Sequence, residues 1–184
     1  MAKDSDFTEI KNKIRNILDR NGFASQEIPA PNNAPKNAPP EAFRLRVMHP
    51  ARIALEIVKP SNMVDFVMVG SRLNLVPAHQ QAVANMDSNK REYFYEDLQI
   101  ALVSYPSSFK LDIRDGGLIA INFTHPIIIS EDNLPKDLFE AFDFINKAFF
   151  HSVLIMKKHF RAGGLKFEAP QGPPDQQGSS PFYT

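Results

Sequence analysis

The segment from Leu138 to Phe160 constrains the fold most, because as a single helix it carries apolar residues on far more than one face. At about 100° per residue, Leu138, Phe142, Ile145, Phe149, Val153, Met156 and Phe160 fall within an arc of about 80°, the width of an ordinary core-facing stripe. Phe139, Phe150 and Leu154 lie on one flank of that stripe, and Phe144 and Ile155 on the other. Only a narrow strip of Glu140, Asp143, Lys147, His151 and Lys158 remains for water. Leaving the five flanking residues wet would forgo on the order of 5 to 10 kcal/mol as an upper bound, comparable to the stability of a whole domain. Either neighbouring elements of the same chain or a second subunit must cover them. Phe139, Phe144, Phe150, Leu154 and Ile155 are therefore the candidate partner-binding residues.

This helix is not a membrane span. Glu140, Asp143, Lys147, Lys157 and Lys158 leave only Ala148 to Met156 free of charge, about half of the roughly 20 apolar residues that a span requires. Asp132 to Pro135 opens the helix and Gly163-Gly164 closes it.

The other elements follow from two periods. Phe7, Ile10, Ile14, Ile17 and Leu18 recur at helical spacing, with Asp6 and Glu9 as a capping box and Gly22 as the stop. A short strand is possible at 23–28. Between Pro29 and Pro40, five of twelve residues are proline; proline lacks an amide donor and fixes φ, so 29–41 is read as an exposed loop. From Phe43 the period becomes two: Phe43, Leu45 and Val47, then Ile53, Leu55 and Ile57, alternate with polar residues. Lys59-Pro60-Ser61-Asn62 has turn chemistry, and 64–69 returns as a strand, with 70–74 extending or bulging it. Residues 77–86 read as a short exposed helix or an irregular segment, with Pro77 in its first turn. Asp87 or Ser88 caps a helix whose face is Phe94, Leu98, Ala101, Leu102 and Tyr105 and which Pro106 ends. Phe109, Leu111 and Ile113 pair with Ile119, Ile121 and Phe123 across Asp115-Gly116-Gly117, and 126–130 finishes the sheet. The sequence therefore predicts an α+β fold, an antiparallel sheet of about five strands packed against helices in the order α-βββ-α-ββ-α. It assigns residues 1–164 to one domain and 165–184, rich in Pro, Gly, Gln and Ser, to a disordered tail.

Chemistry is harder to find. The chain has no cysteine, which removes disulfides, thiolate nucleophiles and cysteine-ligated metals, and fits a reducing compartment. Its 21 basic and 21 acidic residues balance, so no global field attracts nucleic acid or an anionic membrane. The charged start Met1-Ala2-Lys3-Asp4 has no signal-peptide core, and the cytoplasm is the expected location. No phosphate cradle, nucleophile elbow or metal-binding helix motif occurs, and no two of the five histidines lie within four residues. Glu96-Asp97 diverge by about 100° on a helix, and Glu131-Asp132 suit a helix N-terminus, so neither pair is a convergent acid-base dyad. Lys157-Lys158-His159-Phe160-Arg161 suits a helix C-terminus in the same way, and Arg44 and Arg46 share the solvent side of a strand. No catalytic residue, cofactor or metal is expected. An enzyme or small-ligand site assembled only in the fold, from groups such as His49, His125 or Arg44, is the alternative.

The element order over about residues 5 to 162 resembles the type III secretion chaperone-like superfamily, which includes YbjN-type proteins and uncharacterised archaeal and bacterial families. The resemblance is one of topology. It implies an antiparallel sheet packed against helices, commonly a homodimer, that binds another protein rather than performing chemistry. The neutral charge departs from the acidic balance of secretion chaperones, and the proline-rich loop is additional. The resulting expectation is a protein-binding module, chaperone-like or adaptor-like, whose partner is another protein or a second copy of itself.

Overall fold

A computed structural model describes residues 4–31, 39–50, 53–130 and 132–162. Most of the proline-rich loop, Gly163-Gly164 and the tail from 165 onward lie outside these residues. The elements are α1 (Asp4–Arg20), β1 (Ser25–Glu27), β2 (Glu41–Met48), β3 (Ala54–Pro60), β4 (Phe66–Asn74), α2 (Pro77–Ala84), α3 (Ser88–Leu102), β5 (Ser108–Arg114), β6 (Gly117–Ile128) and α4 (Leu134–Ala162). The fold is α+β, with one six-stranded antiparallel sheet in the order β1-β2-β3-β4-β6-β5.

The sixth strand is β1, which lies within the short strand that the sequence allows at 23–28. Its three residues are too few to display a period of two, and it is held by register with β2, Gln26 lying opposite Arg46. Two further boundaries differ from expectation. Helix α1 begins at Asp4, so Asp6 lies inside it instead of capping it. Helix α2 is helical from Pro77 but is not simply exposed, because His79 and Val83 are buried. His79 stacks on Phe160 of α4 with ring centroids 4.8 Å apart.

Local chemistry explains the remaining ends. Gly22, at φ 76°, closes α1: its amide donates to the Asp19 carbonyl at 3.1 Å, and the Phe23 amide to that of Leu18 at 3.0 Å, the Schellman pattern. Asp87 caps α3 by accepting from the Lys90 amide at 2.9 Å. Asp115 and Gly116, at φ 50° and 78°, form the two-residue turn between β5 and β6, and both positive angles match the twist of the hairpin. Strand β6 runs through Pro126 without a break and stays paired with β4 to Ile128; the Ile129 amide donates to Asp65 on the β4 side at 2.7 Å, so alternation turns the Pro126 nitrogen to the other side, where β5 has ended its pairing at Ser108 opposite Thr124.

Alternation assigns the faces of the sheet. Leu45, Ile57, Val69 and His125 lie in successive register on one face. That face joins Ile14 and Leu18 of α1, Val83 of α2, Phe94 and Leu98 of α3, and Phe142 and Ile145 of α4 in a single core. Arg46, Glu56, Gly70, Thr124 and Ser108 form the corresponding row on the opposite face.

Candidate functional site

Helix α4 divides its surplus apolar residues between the core and water. The stripe sinks as its spacing requires: Leu138, Phe142, Ile145, Phe149, Met156 and Phe160 are buried, and Val153 is half-buried. Of the flanks, Phe139 is half-buried against Phe23 and Phe142, at centroid distances of 5.5 and 5.9 Å. Ile155 is half-buried and packs against the core. Phe144 is half-buried with its ring 5.8 Å from that of His125. Phe150 and Leu154 keep 44% and 62% of their surface exposed. The chain therefore covers three of the five candidates in part and leaves two, one turn apart on the same flank, facing water. The five do not converge on one surface, since Phe144 and Ile155 lie on the opposite flank from Phe150 and Leu154.

The surroundings of the exposed pair are cationic. Lys147, Lys157, Lys158 and Arg161 are its neighbours on α4; Lys147 pairs with Asp143 at 2.6 Å and Lys158 with Asp97 of α3 at 2.8 Å. Asp97 also accepts from His159 Nε2 at 2.8 Å, and the hydrogen bonds from Lys158 and His159 hold its carboxyl below the usual carboxylate range. The basic cluster of the last turns thus serves packing between α3 and α4 as well as the helix dipole, and its aromatic member, Phe160, is fully buried.

The face of the sheet turned away from the helices holds groups that alternation alone placed in water. Arg44 is buried: its guanidinium donates to Glu41 at 2.5 Å and to Glu56 at 2.6 Å, while Arg46 reaches the other Glu56 oxygen at 3.2 Å. A second lattice centres on Arg72, which donates to Asn74 at 2.9 Å, Asn122 at 2.9 Å and Asp112 at 2.8 Å. Burial pushes the Asp112 carboxyl up, but hydrogen bonds from Arg72 and Arg114 outweigh it and the net direction is down. The sequence reading misses this lattice because Arg72 falls within 70–74, where extension and a bulge put its side chain on opposite faces. It also missed Lys59, fully buried, whose ammonium donates to the carbonyls of Pro60 and Met63 and lies 5.3 Å from the centre of the Phe7 ring.

The residues named for an assembled small-ligand site stay apart. His125 shares the helix-side face with Val69 and lies 3.5 Å from Ser107 Oγ, whereas Arg44 is locked in ion pairs on the other face. His49 packs its ring 5.8 Å from that of Phe23. A hollow of about 700 Å³ is lined by α1 residues, among them Glu9, Lys13 and Arg20, with Pro135, and another of about 320 Å³ by Phe7, Lys11 and Glu41; none of the three groups lines either. Among the described residues no cluster of three or more His, Asp or Glu is placed to hold a metal, and no helix is long and apolar enough to cross a membrane.

The architecture has counterparts among solved structures. An uncharacterized protein from Methanothermobacter thermautotrophicus superposes with a TM-score of 0.62 at 22% identity, over 83% of this chain and 97% of that one. YbjN from E. coli is a weaker likeness, with a TM-score of 0.46 at 12% identity, over 82% of this chain and 92% of that one. The first shares the fold. No curated protein matches the sequence. The model of one family, described as uncharacterized conserved protein (DUF2299), matches residues 10–156, most of the helices and strands described above, and the chain belongs to that family.

Proposed function

We propose that this chain is a non-enzymatic, cytoplasmic protein-binding module, chaperone-like or adaptor-like, that engages another protein through the outer flank of α4. The observation that carries the reading is the exposure of Phe150 and Leu154, 44% and 62%, on a helix whose other large apolar side chains are buried or half-buried. Paired large apolar side chains on a soluble surface mark contact sites more often than lone ones. The neighbouring Lys147, Lys157, Lys158 and Arg161 favour a segment in which apolar anchors are flanked by acidic residues. On α3, Tyr93 and Ile100, two turns apart and 66% and 70% exposed, offer a further apolar strip.

The test uses the full chain as bait in a lysate of its native organism, beside the double variant Phe150→Asp/Leu154→Asp. Both side chains are exposed, so the variant should unfold within about 1 kcal/mol of the parent. A specific partner retained by the parent, lost by the variant and weakened by added salt supports the reading. Equal retention by both proteins excludes this flank.

A further inference from the structure

We propose that the outward faces of α3 and α4 form one docking band, and that its occupant is an amphipathic helix of a partner protein, basic along one flank and acidic along the other. The proposal rests on the reading above for its α4 half and adds the α3 half, the form of the partner and its charge pattern. Three contacts set how the two helices run. The Phe94 and Phe160 rings lie 6.0 Å apart, Asp97 pairs with Lys158 at 2.8 Å, and Tyr105 Oη lies 3.1 Å from His151 Nδ1. Positions rise along α3 as they fall along α4, so the helices are antiparallel neighbours. Tyr93 and Ile100 fall within about 60° of Asp97 around α3, and Leu154 within about 40° of Lys158 around α4. Ile100 lies about one turn past Asp97 and Leu154 about one turn before Lys158, which brings the two level. Tyr93, Ile100, Leu154 and Phe150, with 66%, 70%, 62% and 44% of their surface exposed, therefore form a diagonal band across both helices.

Length and charge select the occupant. Along the helix axes the band extends about 18 Å, from the level of Tyr93, opposite the end of α4, to that of Phe150. Three turns of helix match this length, with anchors at i, i+4, i+7 and i+11 laid along the pair of helices. An extended segment would leave its backbone donors and acceptors unpaired there, since neither helix offers a ladder. The two margins differ in sign. Beyond Tyr93 and Ile100 stand Glu92 and Glu96 on α3, both exposed, and beyond Phe150 stand Lys157 and Arg161 on α4, half-buried and exposed. None of these four has an ion-pair partner among the described residues. Between the margins Asp97 and Lys158 neutralise each other, so the floor of the band carries no net charge. A helix with one basic and one acidic flank sets opposite charge against both margins, whereas a uniformly acidic or basic one is repelled by one of them.

The probes are three synthetic helical peptides of about five turns that share one apolar face. The first carries acidic residues on one flank and basic residues on the other, the second is acidic on both and the third basic on both. Turning a helix end for end exchanges its flanks, so the comparison holds for either direction of docking. Titrated against the full chain and followed by fluorescence anisotropy, the first should bind about tenfold more tightly than the others. Equal affinities, or no binding of the first, overturn the proposal. Lys157→Glu/Arg161→Glu makes both margins acidic and should transfer the preference to the basic peptide; an unchanged order overturns the proposal. Tyr93→Asp/Ile100→Asp, at exposed positions and with its fold checked by circular dichroism, should weaken the first peptide about tenfold, as should Phe150→Asp/Leu154→Asp. Weakening by the α4 variant alone overturns the shared band and leaves the α4 reading standing. Weakening by neither also overturns the band, while the lysate comparison above still decides the α4 flank. Two other occupants have their own signatures. Anionic phospholipid vesicles that bind the chain but not Tyr93→Asp/Ile100→Asp, or a mass of two chains that falls to 20.7 kDa in that variant, assign the band to a lipid surface or to a second copy, and either overturns the proposal.

Discussion

Glu56 illustrates how single side chains on the outer face differ from what alternation suggests. It stands between Arg44 and Arg46, accepting from one at 2.6 Å and the other at 3.2 Å, and its side chain is 9% exposed. Removing one member of a buried pair leaves the other desolvated without its partner, whereas removing both with apolar groups is far milder. Glu56→Ala should therefore lower unfolding free energy by about 3 kcal/mol, moderated by the remaining Glu41 contact. Glu41→Leu/Arg44→Leu/Glu56→Leu, which also removes the buried carboxylate that Arg44 would otherwise leave behind, should lose less than the single variant. Urea unfolding of the parent, the single and the triple variant measures both; a triple variant less stable than Glu56→Ala contradicts the argument. Alternation from Phe43 to Val47 already told which side chains leave the core. That Arg44 is enclosed was not legible, because its enclosure depends on β3 lying in the register that brings Glu56 beside it, twelve residues away.

Elements were read well where period and punctuation agreed. The stop at Gly22, the cap at Asp87 and the turn at Asp115-Gly116 are local chemistry, decided within a few residues, and each falls where the sequence placed it. Strand β1 and helix α2 are set by distant partners: β1 by its register with β2, α2 by His79 resting on Phe160. The last helix lies between these cases. Its stripe was legible from spacing, but which flank α3 would cover was not, since that depends on Asp97 meeting Lys158 and His159 across two helices. Phe142 and Phe150, eight positions apart on α4, test the division directly, being 2% and 44% exposed. Phe142→Ala should cost about 3 to 5 kcal/mol through lost burial and the cavity left behind, and Phe150→Ala under about 1 kcal/mol. Comparable losses in chemical denaturation would mean that the flank of Phe150 is as enclosed as the stripe.

At the scale of the molecule, the titrating groups with shifted affinities among the described residues nearly all lean one way. Burial lowers His49 and His125, the favourable fields of nearby carboxylates offsetting only part of it, and burial likewise lowers Lys59. Hydrogen bonds lower Asp87 and Asp97, and those from Arg72 and Arg114 prevail over burial at Asp112. A group whose folded affinity for protons is below its unfolded one leaves the unfolded chain holding more protons, so stability rises with pH through that group's range. For the two histidines the contribution is complete above the ordinary histidine value of about 6.5 and is lost as pH falls below it. The aspartates follow below about pH 4. Tyr95, raised mainly by burial, is the exception: its folded form holds its proton longer, so stability declines above about pH 10. A chain with balanced formal charge, 21 against 21, thus gains no symmetry in its stability from that balance. Thermal unfolding should show a melting temperature that falls from pH 7 to pH 5 and holds between pH 7 and pH 9. His49→Gln/His125→Gln should flatten the decline between pH 7 and pH 5 while leaving the steeper loss below pH 4 in place. A parent melting temperature that is constant or rises from pH 7 to pH 5 would show that the two imidazoles are as well solvated in the folded chain as in the unfolded one.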